Sequence, residues 1–76
     1  ISPNDIDNVV IGNVLQTSID AVYIARHIGL ECEIPREVPA LTVNRLCGSG
    51  LQAVVTAAQG IMLDESQCAL AGGTEN

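Results

Sequence analysis

The chain has 76 residues, of which 47% are apolar and one is aromatic, and nine acidic residues against three arginines give a formal charge of −6. This composition argues against disorder and offers no basic stripe to a nucleic-acid backbone. No apolar stretch is long enough to span a membrane, and three cysteines without a Cys-x-x-Cys pair disfavour a disulfide framework or a zinc site.

The first half of the chain predicts a strand followed by a helix. The strand is predicted over residues 6–11, which include the continuous apolar run of residues 9–11. The helix is expected to have Thr17 or Ser18 as its N-cap and Gly29 as the C′ residue after its last turn. His27 then falls in that last turn, where the helix dipole favours a positive charge. We interpret it as a stabilising charge and not as a base that activates a cysteine.

The second half predicts a loop over residues 30–39, a strand over residues 40–46 and a helix that begins at Gly48 or Ser49. In this helix a row of large apolar residues has helical spacing, and small alanines on the other side permit packing on two faces. The row consists of Leu51, Val54, Val55, Ala58, Ile61 and Met62. After a short turn, residues 67–71 predict the third strand.

The order β-α-β-α-β predicts an α/β fold with a mostly parallel sheet and right-handed crossovers. The first and third strands are continuous apolar runs, which are typical of strands covered on both faces. Two helices are too few to cover three such strands on both faces. Since the chain also lacks an initiator methionine, we expect residues 1–76 to form a single, incomplete domain of a larger protein.

Cys47 lies at the junction between the second strand and the second helix, beside Gly48 and close to Gly50. A thiol at such a junction is expected over the unpaired N–H groups of the first helical turn, whose dipoles favour the nucleophilic thiolate. Arg45 adds positive charge nearby. The glycines let a substrate approach without interference from a Cβ. We therefore interpret Cys47 as the nucleophile of a covalent catalyst.

The other two cysteines are interpreted as small buried hydrophobic residues. Cys32 stands between Glu31 and Glu33, whose carboxylates disfavour a third negative charge. Cys68 lies in an apolar strand, where desolvation favours the neutral thiol. Ser49 is interpreted as a helix cap and not as a nucleophile.

Two segments together resemble the active-site motifs of thiolases: residues 44–50, NRLCGSG, and residues 71–76, AGGTEN. Residues 12–18 and 25–30 are also similar, and they look most like the mitochondrial-type 3-ketoacyl-CoA thiolases, or acetyl-CoA acyltransferases. The resemblance covers essentially the whole chain. It implies that the chain is an inner part of the N-terminal half of a thiolase subunit, a layered α/β domain.

The resemblance implies thiolytic cleavage of a 3-ketoacyl-CoA to acetyl-CoA and a shortened acyl-CoA, in fatty acid β-oxidation. Cys47 matches the acyl-carrying nucleophile of the family, and its backbone N–H would contribute to an oxyanion hole. Coenzyme A and acyl-CoA are substrates, so no resident cofactor is implied, and no residue is assigned to cofactor or metal binding. The activating histidine, second cysteine and asparagine-bound water of thiolases belong to the C-terminal half, and nothing in this chain matches their motifs.

The resemblance also implies the partners and the compartment. The rest of the thiolase subunit would pack against this chain, and subunits would form a homodimer or homotetramer with the second strand near the dimer interface. Neither nucleic-acid binding nor membrane insertion is implied. The implied compartment is the mitochondrial matrix, with a bacterial cytoplasm as the alternative.

Three alternative interpretations stay open at this point. A biosynthetic acetoacetyl-CoA thiolase would use the same nucleophile with a smaller acyl pocket. A condensing enzyme of the ketoacyl synthase kind also places a cysteine at a helix start, although the AGGTEN segment argues against it. A catalytically inert segment with only a structural or interaction role is the third, because the base and the acid are missing from these residues.

Overall fold

A computed structural model describes residues 1–15 and 21–74 of the chain. Three strands alternate with two α-helices, and short 3-10 turns precede β1 and α1. The strands are β1 (Asn8–Gly12), β2 (Ala40–Val43) and β3 (Ala69–Gly73); the α-helices are α1 (Ile24–Glu31) and α2 (Ser49–Met62); the 3-10 turns are Pro3–Asp5 and Ala21–Tyr23. The predicted β-α-β-α-β order and α/β class are confirmed.

The three strands form a parallel sheet in the order β2-β1-β3. From β1 the chain crosses to β2 on one side of it. From β2 it then crosses back over β1 to reach β3 on the other side, so the two crossovers run in opposite directions. Two crossovers of the same hand therefore place α1 and α2 on opposite faces of the sheet. The central residues Val9, Val10 and Ile11 are buried, which confirms that β1 is covered on both faces.

The two faces of the sheet bury side chains of different size. A cluster of mainly large aliphatic residues covers the α1 face: Ile6, Val9, Ile11, Ala25, Ile34 and Val38. On the α2 face the buried cluster is Val10, Ala53 and Ala57. The row of large apolar residues predicted on α2 points away from the sheet, with Leu51 72% and Met62 81% exposed. The helix therefore uses its small residues, and not its large ones, to pack on the sheet.

The first turn of α2 lies very close to the ends of β1 and β3. A Cβ at Gly12 would lie 2.5 Å from the carbonyl carbon and oxygen of Ser49, which is closer than nonbonded atoms can approach. Only glycine therefore fits at this position. A Cβ at Gly73 would lie 3.4 Å from the Cα of Gly50. The ends of β1 and β3 thus form a bare backbone surface on which the start of α2 rests.

Helix α1 does not end before Gly29, as predicted, but continues to Glu31. Gly29 lies inside the helix and is buried against β1, where a Cβ would stand 3.6 Å from Cγ2 of Val9. The left-handed conformation after the helix belongs instead to Glu33, with φ 63°. The prediction of Gly29 as the C′ residue is wrong because contact with the sheet, and not helix termination, fixes its position.

The longer helix changes the setting of His27. The histidine lies in the middle of α1 and not in its last turn, so the predicted charge at the helix end is wrong. Its ring stacks on Tyr23 with the centroids 6.5 Å apart. The predicted N-cap, Thr17 or Ser18, lies outside the described residues.

The first and third strands begin two residues later than predicted, at Asn8 and Ala69, and the Asp7 side chain accounts for the difference. Its carboxylate accepts hydrogen bonds from Ser66 Oγ at 2.5 Å and from the Gln67 N–H at 2.8 Å. This side chain joins the two segments before strand pairing begins at Asn8 and Ala69. The hydrogen bond from Ser66, and to a lesser extent the one from the Gln67 N–H, holds the pKa of Asp7 below its ordinary value.

Candidate active site

The turn between β2 and α2 has a backbone conformation that a strand cannot adopt. β2 ends at Val43, earlier than predicted, and Leu46 has φ 50°, in the left-handed region. Asn44 Oδ1 accepts a hydrogen bond from the Leu46 N–H at 3.0 Å. Ser49 Oγ accepts one from the Arg45 N–H at 2.6 Å and donates one to the Leu46 carbonyl oxygen at 2.7 Å. Two side chains therefore hold the turn from both of its ends.

Cys47 follows this left-handed residue directly, and its side chain is exposed. It borders an open cleft of ≈ 460 Å³. The cleft is lined by Gly12, Val14, Leu46, Cys47, Ser49, Gly50, Gly73 and Thr74. Residues from the carboxyl ends of β1 and β3 thus meet the start of α2, at the edge where open parallel sheets bind ligands.

Three of the eight residues that line the cleft are glycines. Gly12, Gly50 and Gly73 present no side chain toward it, and the Thr74 N–H donates to the Gly12 carbonyl oxygen at 3.0 Å. This hydrogen bond continues the pairing of β1 and β3 up to the rim. The arrangement leaves room beside the sulfur for a substrate carbonyl and the atoms attached to it.

The amide groups beside Cys47 differ from the prediction. The Gly48 N–H donates to the Arg45 carbonyl oxygen and the Ser49 N–H to the Leu46 carbonyl oxygen, both at 3.0 Å. These amides are therefore paired within the turn. The N-cap of α2 is Gly48, which has no side chain to cap it, so the interpretation of Ser49 as the helix cap is wrong. Its hydroxyl bonds backward to the turn instead.

Arg45 and His27, the residues considered as a nearby positive charge and as a base for Cys47, do not line the cleft. The Arg45 guanidinium donates to Gln52 Oε1 at 2.7 Å and so extends along α2. His27 lies on α1, on the opposite face of the sheet. Among the described residues that border the cleft, none carries an imidazole, a carboxylate or an amine.

The other two cysteines lie outside the cleft. Cys32 is exposed, so its predicted burial is wrong; it borders a shallow apolar depression with Ile6 and Ile34. Cys68 is half-buried against the aliphatic cluster on the α1 face. Within residues 1–15 and 21–74, no three His, Cys, Asp or Glu side chains are grouped to hold a metal, and no helix has the length and apolar character needed to cross a membrane.

Two cleft residues outside the NRLCGSG and AGGTEN segments were not singled out from the sequence as site residues: Gly12 and Val14. The register aligns Gly12 with Gly73 at the ends of β1 and β3, and this pairing brings them together. A glycine at the carboxyl end of a central parallel strand was the available signal, because such a glycine often admits a helix or a ligand to the backbone.

Comparisons with known proteins agree on one family. The whole chain, residues 1–76, matches the family model described as thiolase, N-terminal domain. It is 55% identical over 76 residues to human mitochondrial 3-ketoacyl-CoA thiolase and spans 19% of that protein's length.

Solved structures give the same result. A crystal structure of human mitochondrial 3-ketoacyl-CoA thiolase in complex with CoA matches with a TM-score of 0.84 and 57% identity, over 86% of this chain and 16% of that one. The Bacillus anthracis acetyl-CoA acetyltransferase matches with a TM-score of 0.86 and 36% identity, over 96% of this chain and 18% of that one.

Proposed function

This chain belongs to the thiolase family, and we propose that the full-length protein is a 3-ketoacyl-CoA thiolase with Cys47 as its nucleophile. One observation carries the assignment of the residue. Cys47 is exposed at an open cleft, on a turn that side chains hold in place, whereas Cys32 and Cys68 lie outside that cleft. Covalent catalysis needs such a thiol, accessible to substrate but fixed in direction.

In the first step the thiolate of Cys47 attacks the C3 carbonyl carbon of the 3-ketoacyl-CoA and forms a carbon–sulfur bond. The bond between C2 and C3 then breaks, and its electron pair stays on C2 as the enolate of acetyl-CoA. Protonation at C2 releases acetyl-CoA. The acyl group remains on Cys47 as a thioester, so a difficult carbon–carbon cleavage is divided into two easier steps.

In the second step the thiolate of free coenzyme A attacks the thioester carbonyl. The new thioester is an acyl-CoA two carbons shorter than the substrate, and the sulfur of Cys47 leaves as a thiolate. Negative charge develops on the carbonyl oxygen during this attack, and the Cys47 N–H is proposed as one donor that stabilises it. Coenzyme A is consumed as a substrate, so the reaction needs no resident cofactor. The human relative solved in complex with CoA supports this substrate class.

The proton transfers need groups that the described part of the cleft lacks. We propose that the rest of the thiolase subunit supplies the base for Cys47 and the acid for C2. The exposed apolar row on α2, which includes Leu51, Val54 and Met62, supports a large apolar contact with that part. Residues 1–76 are accordingly proposed to be one incomplete domain, with no thiolysis when isolated.

A biosynthetic acetoacetyl-CoA thiolase is the second candidate. The fold does not discriminate, because the TM-scores for the 3-ketoacyl-CoA thiolase and the acetyl-CoA acetyltransferase are 0.84 and 0.86. Sequence identity does: it is 57% for the former and 36% for the latter. This difference favours degradative thiolysis in fatty acid β-oxidation.

The same relatives support a proposal on compartment and assembly. The name of the human relative supports the mitochondrion, and within it we propose the matrix; the match in Bacillus anthracis supports a bacterial source, for which we propose the cytoplasm as the alternative. β2 pairs only with β1 in the described sheet, and Leu41 on it is exposed. An open strand edge of this kind supports a homodimer or homotetramer with β2 at the interface.

The test is direct trapping of the acyl-enzyme. The full-length protein is mixed with 3-ketodecanoyl-CoA in the absence of free coenzyme A, quenched with acid and digested. We expect mass spectrometry to find an octanoyl adduct on the peptide that contains Cys47, and added coenzyme A to release it as octanoyl-CoA.

A Cys68→Ala variant is the matched control, and it should retain the adduct. An adduct on another side chain would reject Cys47 as the nucleophile. Turnover of acetoacetyl-CoA without turnover of 3-ketodecanoyl-CoA would favour the biosynthetic candidate.

A further inference from the structure

We propose that Ser49 is a positioning residue for the thiol of Cys47. Its buried hydroxyl holds Leu46 in the left-handed conformation from which the next side chain enters the cleft. The kinetic part of this inference rests on the proposed function. The structural part, the direction and accessibility of the Cys47 sulfur, does not depend on the reaction.

One hydroxyl satisfies two backbone groups of the turn. Ser49 is 4% exposed, and its Oγ accepts from the Arg45 N–H at 2.6 Å while donating to the Leu46 carbonyl oxygen at 2.7 Å. Both partners precede Cys47 in the chain, and Ser49 follows it. The two hydrogen bonds therefore close a ring of backbone around Cys47.

The conformation that this ring holds is unfavourable on its own. Leu46 has φ 50°, which crowds the Cβ of an L residue, and its side chain is exposed, so no burial of that side chain offsets the strain. Asn44 also bonds to the Leu46 N–H, but that bond is exposed, so water can replace the side chain. The two bonds of Ser49 are part-buried and Ser49 itself is 4% exposed, so water replaces its hydroxyl less easily than it replaces the Asn44 side chain.

The main chain of Ser49 is itself fixed against the sheet. A Cβ at Gly12 would lie 2.5 Å from the Ser49 carbonyl group, so the first turn of α2 rests directly on the end of β1. Ser49 thus connects a rigid element to a strained one. The backbone of Ser49 contacts β1 and its hydroxyl bonds to Leu46. The position of β1 therefore determines where Leu46 lies and, through it, where Cys47 lies.

The test compares two buried serines in the full-length protein. Ser66 is 5% exposed and donates a hydrogen bond to Asp7 Oδ1, at the end of the sheet where β1 and β3 begin. Ser66→Ala is the matched control, because it also removes one buried hydroxyl. For Ser49→Ala, Ser66→Ala and wild type, we would measure kcat, KM, thermal unfolding, and the rate of Cys47 alkylation by iodoacetamide as a function of pH.

We expect Ser49→Ala to lower kcat between about 10- and 100-fold with little change in KM, because a misplaced nucleophile affects the chemical step. The rate of alkylation at Cys47 should also differ from that of wild type. Ser66→Ala should change only thermal unfolding. Ser49→Thr, which keeps the hydroxyl, should restore most of the lost kcat.

Several results would overturn the proposal: unchanged kcat and alkylation in Ser49→Ala, equal losses in both alanine variants, or a Ser49→Ala protein that does not fold while Ser66→Ala does. Each would assign the hydroxyl to stability alone. The alkylation arm needs no turnover. A wild-type protein without thiolysis whose Cys47 still responds to Ser49→Ala would therefore reject the proposed function and retain the positioning role.

Discussion

On the α1 face of the sheet the buried side chains are mainly isoleucine and valine, whereas on the α2 face they are Val10 and two alanines. Buried apolar area contributes about 25 cal/mol per Å² to stability, so the α1 face contributes more per residue. The α2 face has less area to bury, but its small residues let the helix backbone touch Gly12 and Gly73. Stability and the placement of Cys47 are thus served by opposite faces of one sheet.

The two faces also differ in how they hold their contacts. The α1 face is held by packing among side chains that can shift slightly relative to one another. At the start of α2, backbone meets backbone, and a turn with a left-handed residue is held by hydrogen bonds from Asn44 and Ser49. A small change there has no flexible side chain to absorb it, so equal substitutions should have unequal effects on the two faces.

The largest difference between the faces is expected for the cysteines. Cys47→Ala should lower kcat of the full-length protein by several orders of magnitude, as for other covalent nucleophiles. Cys68→Ala, against the α1-face cluster, should retain kcat and lose about 1–2 kcal/mol of stability. Steady-state thiolysis and urea unfolding measure the two effects. Full activity of Cys47→Ala would contradict the assignment.

Alanine in place of glycine is the second way to separate the faces. Gly12→Ala should cost about 3 kcal/mol of unfolding free energy, because its Cβ would overlap the Ser49 backbone. Gly29→Ala on α1 meets only Val9 Cγ2 at 3.6 Å and should stabilise the helix by about 0.5–1 kcal/mol. Urea unfolding of both variants gives the comparison.

Gly50→Ala is the control for this pair, since its Cβ would enter open space in the same helical turn as Ser49. If Gly12→Ala were no more destabilising than Gly50→Ala, the close contact between β1 and α2 would be wrong.

The adjacent valines of β1 offer the third comparison, because each faces one side. Val9→Ala and Val10→Ala remove equal side chains, both fully buried, and should each cost about 2–3 kcal/mol. Only Val10→Ala should also change the alkylation rate of Cys47, because Val10 packs against α2. Equal effects of both variants on alkylation would mean that the two faces are not independent.

The smallest expected effect lies at the opposite end of the sheet from the cleft. Because the pKa of Asp7 is lowered in the folded protein, its contribution to stability is complete above the unfolded-state pKa of about 3.9 and disappears as pH falls through the folded-state pKa. Asp7→Asn should therefore be less stable than wild type near neutral pH, and this difference should vanish in acid. Urea midpoints between pH 2 and 7 measure it, and a constant difference across that range would exclude the carboxylate as its cause.

Local pattern was sufficient for the order of elements, for the start of α2 and for Cys47 at the junction. It was not sufficient where tertiary contacts override local preference. Large apolar residues are normally buried, yet α2 buries Ala53 and Ala57 in a cluster with Val10, while its first turn lies against the backbone of Gly12 and Gly73. Leucine gives no local signal for a left-handed turn, and Leu46 adopts one only because of partners on each side of it.

The contact at Gly12 also constrains protein engineering. A designer who copies only the cysteine turn and its helix onto another parallel sheet would place them against a strand end that carries a side chain, and the graft would be pushed outward. The transplantable unit is therefore discontinuous. It consists of the cysteine turn, the first turn of its helix, and a neighbouring strand that ends in glycine.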